Sequence, residues 1–402
     1  MKMNIKTKQS LFASTKATQI GLFSFLILSA NYVSAGPIED LQPGHWLEVP
    51  NTNLSQVYPA SIPAETRGNS GPTSIMQAWS GGAYDTKRDR LMVWGGGHQD
   101  YGGNELYAFD TNTLAWERIT EPSASTPTCE NYMPDGQPAI THTYNQIQYS
   151  PNTDSFTRVT GGFWGSNCPW DIISQSYEAT DIFDIETKTW TRGTQHPSIS
   201  NSTGLISAVD AATGHIWVHG TYGGGKLFEY NPKKDQWTAR SGNRYLEVNA
   251  TAAIDPERRL MVAVGGYNGQ RQILVWDLTQ KYGNAYIPTT SGDSILENSS
   301  ASGFVYDPTI KKFVGWTESS SVYTLDPTTW VWEKVDAAPT NTVIPSTKGR
   351  GVNGRFRYIP SKNVYILVNR TTENVYFYKL NSQSINNVPE NPGTPSSTEN
   401  QL

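Results

Sequence analysis

Short apolar runs recur along the whole chain, and Gly, Asn, Asp, Thr and Pro break them at regular intervals. Leu91-Met92-Val93-Trp94 stops at three glycines; Val275-Trp276-Asp277 and Tyr376-Phe377-Tyr378 are similar runs. Helical periodicity is nearly absent, so the runs predict strands joined by tight turns. A second regularity overlies the first. An aspartate or asparagine is followed six positions later by tryptophan at Asp110/Trp116, Asp184/Trp190, Asn231/Trp237 and Asp326/Trp332.

A repeat near ~50 residues with four short strands per unit predicts an all-β fold, a β-propeller. Unit one runs from about Ser74 to Trp116. Unit two runs from Thr141 to Trp190, and unit three from Gly204 to Trp237. Unit four starts near Asn249 and has a degenerate closing strand. Unit five runs from Ser300 to Trp332, and unit six from Arg350 to Tyr378. Unit six lacks a fourth strand, and His45-Trp46-Leu47-Glu48-Val49-Pro50 supplies one. The ring is thus expected to close through an N-terminal strand, which also hides an edge. Six four-stranded blades are expected. Seven is the alternative, if 50–73 or 279–298 conceals strands. The closing-strand tryptophans are expected to pack between blades.

The start of the chain has another character. Lys2, Lys6 and Lys8 precede an apolar stretch, Ile20 to Leu28, and Val33-Ser34-Ala35 fits a small-residue cleavage rule. Residues 1–35 are read as a signal peptide, 36–380 as the propeller, and 381–402 as a polar disordered tail or linker. The expected location is secreted or periplasmic, with no later membrane span. The chain's formal charge is -5, and loss of the four lysines of the leader takes it to -9. That argues against nucleic acid as a partner, and any anionic ligand needs a local basic patch. The two cysteines, Cys129 and Cys168, are expected to form a disulfide in an exported chain.

Blade topology narrows the search for a site. Loops between strands b and c, and the approaches to strand a, emerge on one face. His98 lies in the first such loop, with Tyr101, and His142 lies on the approach to unit two. Tyr222, Lys226, Arg271, Trp316 and Arg370 occupy corresponding places, and Arg244 and Arg350 approach units four and six. His45, His196, His215 and His219 read as structural or exposed. Asp100, Glu105 and Glu318 offer a paired-carboxylate hydrolase, without a spacing that marks one. No metal-ligand spacing stands out, so no cofactor is expected beyond an optional structural ion. A monomer is expected.

The segment from Trp94 through His98 and Tyr101 to Asp110, ending at Trp116, resembles kelch and galactose-oxidase-like propellers. The copper-radical chemistry of galactose oxidase is not expected here, because both cysteines lie in long loops. A closer functional resemblance is to secreted bacterial propeller polysaccharide lyases, notably ulvan lyases. That resemblance implies a site of two histidines, a tyrosine and an arginine, for which His98, His142, Tyr222 and Arg244 are the candidates. A lyase removes the C5 proton of a uronate and expels the C4 oxygen. On this reading His142 is base or acid, Tyr222 its partner, and His98 with Arg244 neutralises the carboxylate. Tyr101, Lys226, Arg271, Trp316, Arg350 and Arg370 would bind an anionic polysaccharide, with Trp164 and Trp170 as further stacking rings. The alternative function is a non-catalytic module that binds glycan or protein on the same face.

Overall fold

In every blade, a residue in the left-handed region of backbone space lies six positions before the last residue of the innermost strand. These residues are Trp79, Tyr144, Gly204, Asn249, Ala301 and Asn353, with φ between 40° and 69°. A second left-handed residue lies four positions after that strand's end: Asp89, Asp154, Gly214, Arg259, Lys311 and Asn363. The computed structural model describes residues 36–97, 100–124, 130–159, 179–197, 204–221, 225–240, 244–267 and 271–380. Its sheets form a six-bladed all-β propeller.

The innermost strands a are Gly82–Asp85, Ile147–Ser150, Ile206–Asp210, Thr251–Asp255, Gly303–Asp307 and Phe356–Ile359. Each pairs antiparallel with its strand b, and b with c. Four of the six a–b turns are sealed by aspartate, at Asp85, Asp210, Asp255 and Asp307. Asp85 accepts the N–H groups of Lys87 and Arg88, and Asp255 those of Glu257 and Arg258. The Asp/Asn-to-Trp repeat is the matching device at the c–d turn. Asp110 accepts N–H from Asn112 and Thr113, and Asp326 from Thr328 and Thr329. A left-handed Leu114 or Trp330 then turns the chain back.

Ring closure follows the expected route. Trp46–Val49 pairs antiparallel with strand c of blade 6, Val375–Tyr378, and Trp46 stands opposite Tyr378. Trp116 opposite Phe109, Trp190 opposite Phe183 and Trp237 opposite Tyr230 have the same register. Trp46 is therefore a fifth member of the tryptophan repeat, delivered from the far end of the chain. Its ring lies tilted 4.8 Å from Tyr378 and meets Trp316 of blade 5 edge-on at 6.3 Å. Trp190 meets Trp94 of blade 1 at 5.7 Å. The expected packing between blades is present.

The seven-blade alternative is excluded. Short helical turns occupy parts of 50–73. In 279–298, Tyr286 forms an isolated bridge to Val275, standing in for the missing outer strand of blade 4. Ser291–Gly292 adds a parallel edge to blade 5. Residues 1–35, expected to be a signal peptide, residues 381–402, expected to be a tail or linker, and Cys129 and Cys168, expected to form a disulfide, lie outside the described residues. Among the described residues no helix is long and apolar enough to cross a membrane.

Two arginines tie the seam between blades 6 and 1. Arg355, fully buried, donates to the carbonyls of Ser80, Met76, Gly351, Val368 and Asn369. Burial without a carboxylate partner holds its pKa down at about 9. Arg357 donates to the carbonyls of Gly354 and Gly82 and faces Gln148 of blade 2.

Trp46→Ala opens a cavity at the closing strand, and the urea midpoint should report a loss of about 3–5 kcal/mol. An unchanged midpoint would mean that this strand does not hold the ring. His219 is fully buried against Trp276, and burial depresses its pKa to about 4. The unfolded chain then binds more protons between about pH 6.5 and pH 4, so stability falls as pH drops through that window. His219→Phe should shrink that fall by about 3 kcal/mol. An identical pH profile would contradict the assignment.

Candidate functional site

The left-handed residues create the axial mouth on the face of the b–c loops. The Tyr144 N–H donates to the Trp79 carbonyl (2.7 Å), Ala301 to Asn249 (2.7 Å), Val352 to Ala301 (2.8 Å) and Gly82 to Asn353 (3.1 Å). Blades 1 and 2, 4 and 5, 5 and 6, and 6 and 1 are thereby docked through left-handed backbone. At Gly204 a Cβ would lie 2.1 Å from Val248 Cγ2, so only glycine fits. Asn145 Nδ2 reaches from blade 2 to the Ala250 carbonyl of blade 4 at 3.2 Å. The mouth is therefore floored by polar cross-links.

Four of the six ring positions hold Gly, Ala or Asn. The other two hold the aromatics Trp79 and Tyr144, which, like Ala301, meet a Cβ steric penalty of about 1–2 kcal/mol in this region. His142 lies between them, its ring 5.0 Å from Trp79 and 5.8 Å from Tyr144. Its Nδ1 sits 2.5 Å from the Ala78 carbonyl. A carbonyl only accepts, so Nδ1 carries the proton, and in the neutral form of the ring the lone pair belongs to Nε2. Gly97, at φ 74°, lets this arrangement close: a Cβ there would lie 2.7 Å from His142 Cε1 and 2.8 Å from Asp100 Oδ2.

Charge of both signs borders the imidazole. The exposed Arg350 guanidinium lies 4.4 Å from the centre of the Trp79 ring, on the approach to blade 6. Burial raises the Asp100 pKa, while Arg350 and a hydrogen bond from Ser70 oppose that rise. Two residues from Arg350, Lys348 donates to Thr317 Oγ1 at 2.9 Å, and its own backbone N–H meets Glu318. Burial lowers the Lys348 pKa against the pull of Glu318.

The sequence candidates divide clearly. His142 and Arg350 are brought to one cluster through Trp79. Arg244 and Arg271 lie apart from it, together lining a groove of ≈ 540 Å³ beside blade 4. Arg271 there is ion-paired with buried Glu297 at 2.5 Å. Arg370 is held by Glu373 at 2.8 Å and by Thr347. Lys226 is exposed at the start of a strand c. Tyr101 and Trp316 do not fit a substrate-binding role, because neither presents a surface. Tyr101 is 2% exposed and donates to Glu105 at 2.6 Å; Trp316 is 0% exposed and bonds the Ser319 carbonyl. Glu105 is clamped by Tyr101 and Tyr107, and burial raises its pKa. His98, Tyr222, Trp164 and Trp170 lie outside the described residues.

Trp79 and Lys348 are the cluster members that sequence reasoning missed. The signal for Trp79 was the six-residue spacing back from Asp85, shared with Gly204 before Asp210 and Asn249 before Asp255. Among the described residues no group of three or more His, Cys, Asp or Glu side chains is placed to hold a metal ion. No known protein-family model matches the chain, and no curated protein matches it.

Trp79→Gly removes the ring and relieves the left-handed backbone. Thermal unfolding should show stability within about 1 kcal/mol of the parent. A loss above ~3 kcal/mol would make Trp79 an ordinary packing residue.

Proposed function

We propose that the chain is an exported enzyme that cleaves a uronate-containing polysaccharide by β-elimination at the Trp79–His142–Arg350 mouth. The observation that carries this reading is the placement of His142. A carbonyl-fixed imidazole stands between two aromatics held in left-handed backbone, with the exposed Arg350 guanidinium beside them. The left-handed backbone itself serves blade docking; the choice of two aromatics for it on either side of an imidazole is what supports a functional reading.

The residue types suit the step. Arg350 neutralises the uronate carboxylate by charge-assisted hydrogen bonds, which acidifies the C5 proton. Nε2 of His142 takes that proton. The electron pair forms the C4–C5 double bond, the C4–O bond breaks, and the departing oxygen takes a proton from an acid. Tyr222 remains the candidate acid by its place in the third b–c loop. The Trp79 ring offers a sugar platform. In this assignment Arg350 takes the part first given to Arg244, which sits in the groove beside blade 4. Export through the leader at 1–35 would bring the enzyme to an extracellular polysaccharide.

The test is incubation of the purified protein with a panel of uronate polysaccharides, following the ultraviolet absorbance of the unsaturated product. His142→Ala should lower the rate at least ~100-fold while oligosaccharide binding persists. Arg350→Gln should weaken both binding and turnover. Binding by the parent protein without product on any substrate would replace the lyase with a glycan-binding module on the same platform.

A further inference from the structure

The opposite mouth of the axis, on the side of the a–b turns, opens into a second cavity of ≈ 290 Å³. All six strands a or their turns line it, and it stands apart from the uronate mouth. Asn145 and Arg357 cross-link blades between the two ends. The wall is mostly apolar, with Thr86, Gln148 and Arg357 as its polar side chains besides the tyrosines. The rings of Tyr84, Tyr149, Tyr306 and Tyr358 surround it, and Ala211 stands exposed at a turn on its rim. Three of those phenols are committed elsewhere, to Asp89, Asp154 and Asn363, so those tyrosines offer ring surface rather than hydroxyls.

Among the described residues Arg357 is the one ionic group in the lining. Its hydrogen bonds go to two carbonyls and the Gln148 amide oxygen, and no described carboxylate pairs with it. Protein encloses the guanidinium, and this desolvation lowers its pKa to about 10. The residue nevertheless keeps partial solvent access, as expected if it opens on the cavity. Buried aspartates at neighbouring strand ends have other partners: Asp85, Asp210 and Asp255 are paired with Arg88, Arg259 and Arg258, and Asp307 accepts from Tyr365 and the Thr309 N–H. None of them lines the cavity.

We infer that this axial cavity is a binding site for a small carboxylate with an apolar body, such as a monocyclic aryl or short alkyl acid. The carboxylate would complete the coordination of Arg357, and the body would lie among the tyrosine rings. An uncompensated buried cation gains most from such a partner, because its desolvation cost is already present in the empty protein. The volume matches about ten waters and lies at the lower end of small-molecule sites, which excludes a polysaccharide.

The experiment titrates 3-phenylpropanoate and the neutral 3-phenylpropanol into the full protein by calorimetry. The acid should bind at least tenfold more tightly than the alcohol. Ala211→Trp, a change at an exposed turn, should fill the rim and lower affinity for the acid at least tenfold. Arg357→Gln should bring acid and alcohol to equal affinity. No binding of the acid, equal binding of acid and alcohol by the parent, or an Ala211→Trp variant that binds as the parent does would each overturn the inference. Should Arg357→Gln fail to fold, the other two comparisons decide it.

Discussion

Left-handed backbone at the approach to each innermost strand is the constraint on which this molecule depends. A blade can meet its neighbour around a tight axis only if the chain turns sharply just before strand a. That turn needs φ near +50°, and it leaves an N–H and a carbonyl free to bond the next blade. Where Gly or Asn holds the position the cost is small, whereas Ala301 carries a Cβ and meets the same penalty as the aromatics. Trp79 and Tyr144 break the pattern, and the imidazole of His142 sits between them. The same geometry that closes the ring thus collects sequence-distant groups at one mouth.

The fold was legible because its devices are local and repeated. Turn-capping aspartates, the tryptophan six residues later and the isolated strand around Trp46 can all be read without knowing any contact. Closure through Trp46 was legible for a further reason: blade 6 had no outer strand, and an unpaired strand with the right tryptophan stood near the start. The site was less legible. Trp316 and Tyr101 look in sequence like loop aromatics available to a ligand. In the fold Trp316 occupies the same strand-b end as Trp94, and both are sealed between blades. Comparing those two strand ends would have shown it.

Arginine shows the same limit. Sequence position marks which face an arginine approaches but not what it meets. Arg271 and Arg370 meet carboxylates, Arg355 meets only carbonyls, Arg350 meets an aromatic face, and Arg357 meets a cavity. Some of these partners are local, as Glu373 is to Arg370, while Trp79 reaches Arg350 across the seam between blades 6 and 1, so charge alone does not distinguish them. The overall negative charge makes the contrast useful, because arginines left without a carboxylate mark where an anion would be welcome.

A crystal structure of the His142→Ala protein with a uronate oligosaccharide bound tests the central claim most directly. The account predicts a sugar ring against Trp79, its carboxylate on Arg350, and its C5 facing the space left by the imidazole. An oligosaccharide seated instead in the Arg244–Arg271 groove, with the Trp79 mouth empty, would contradict it.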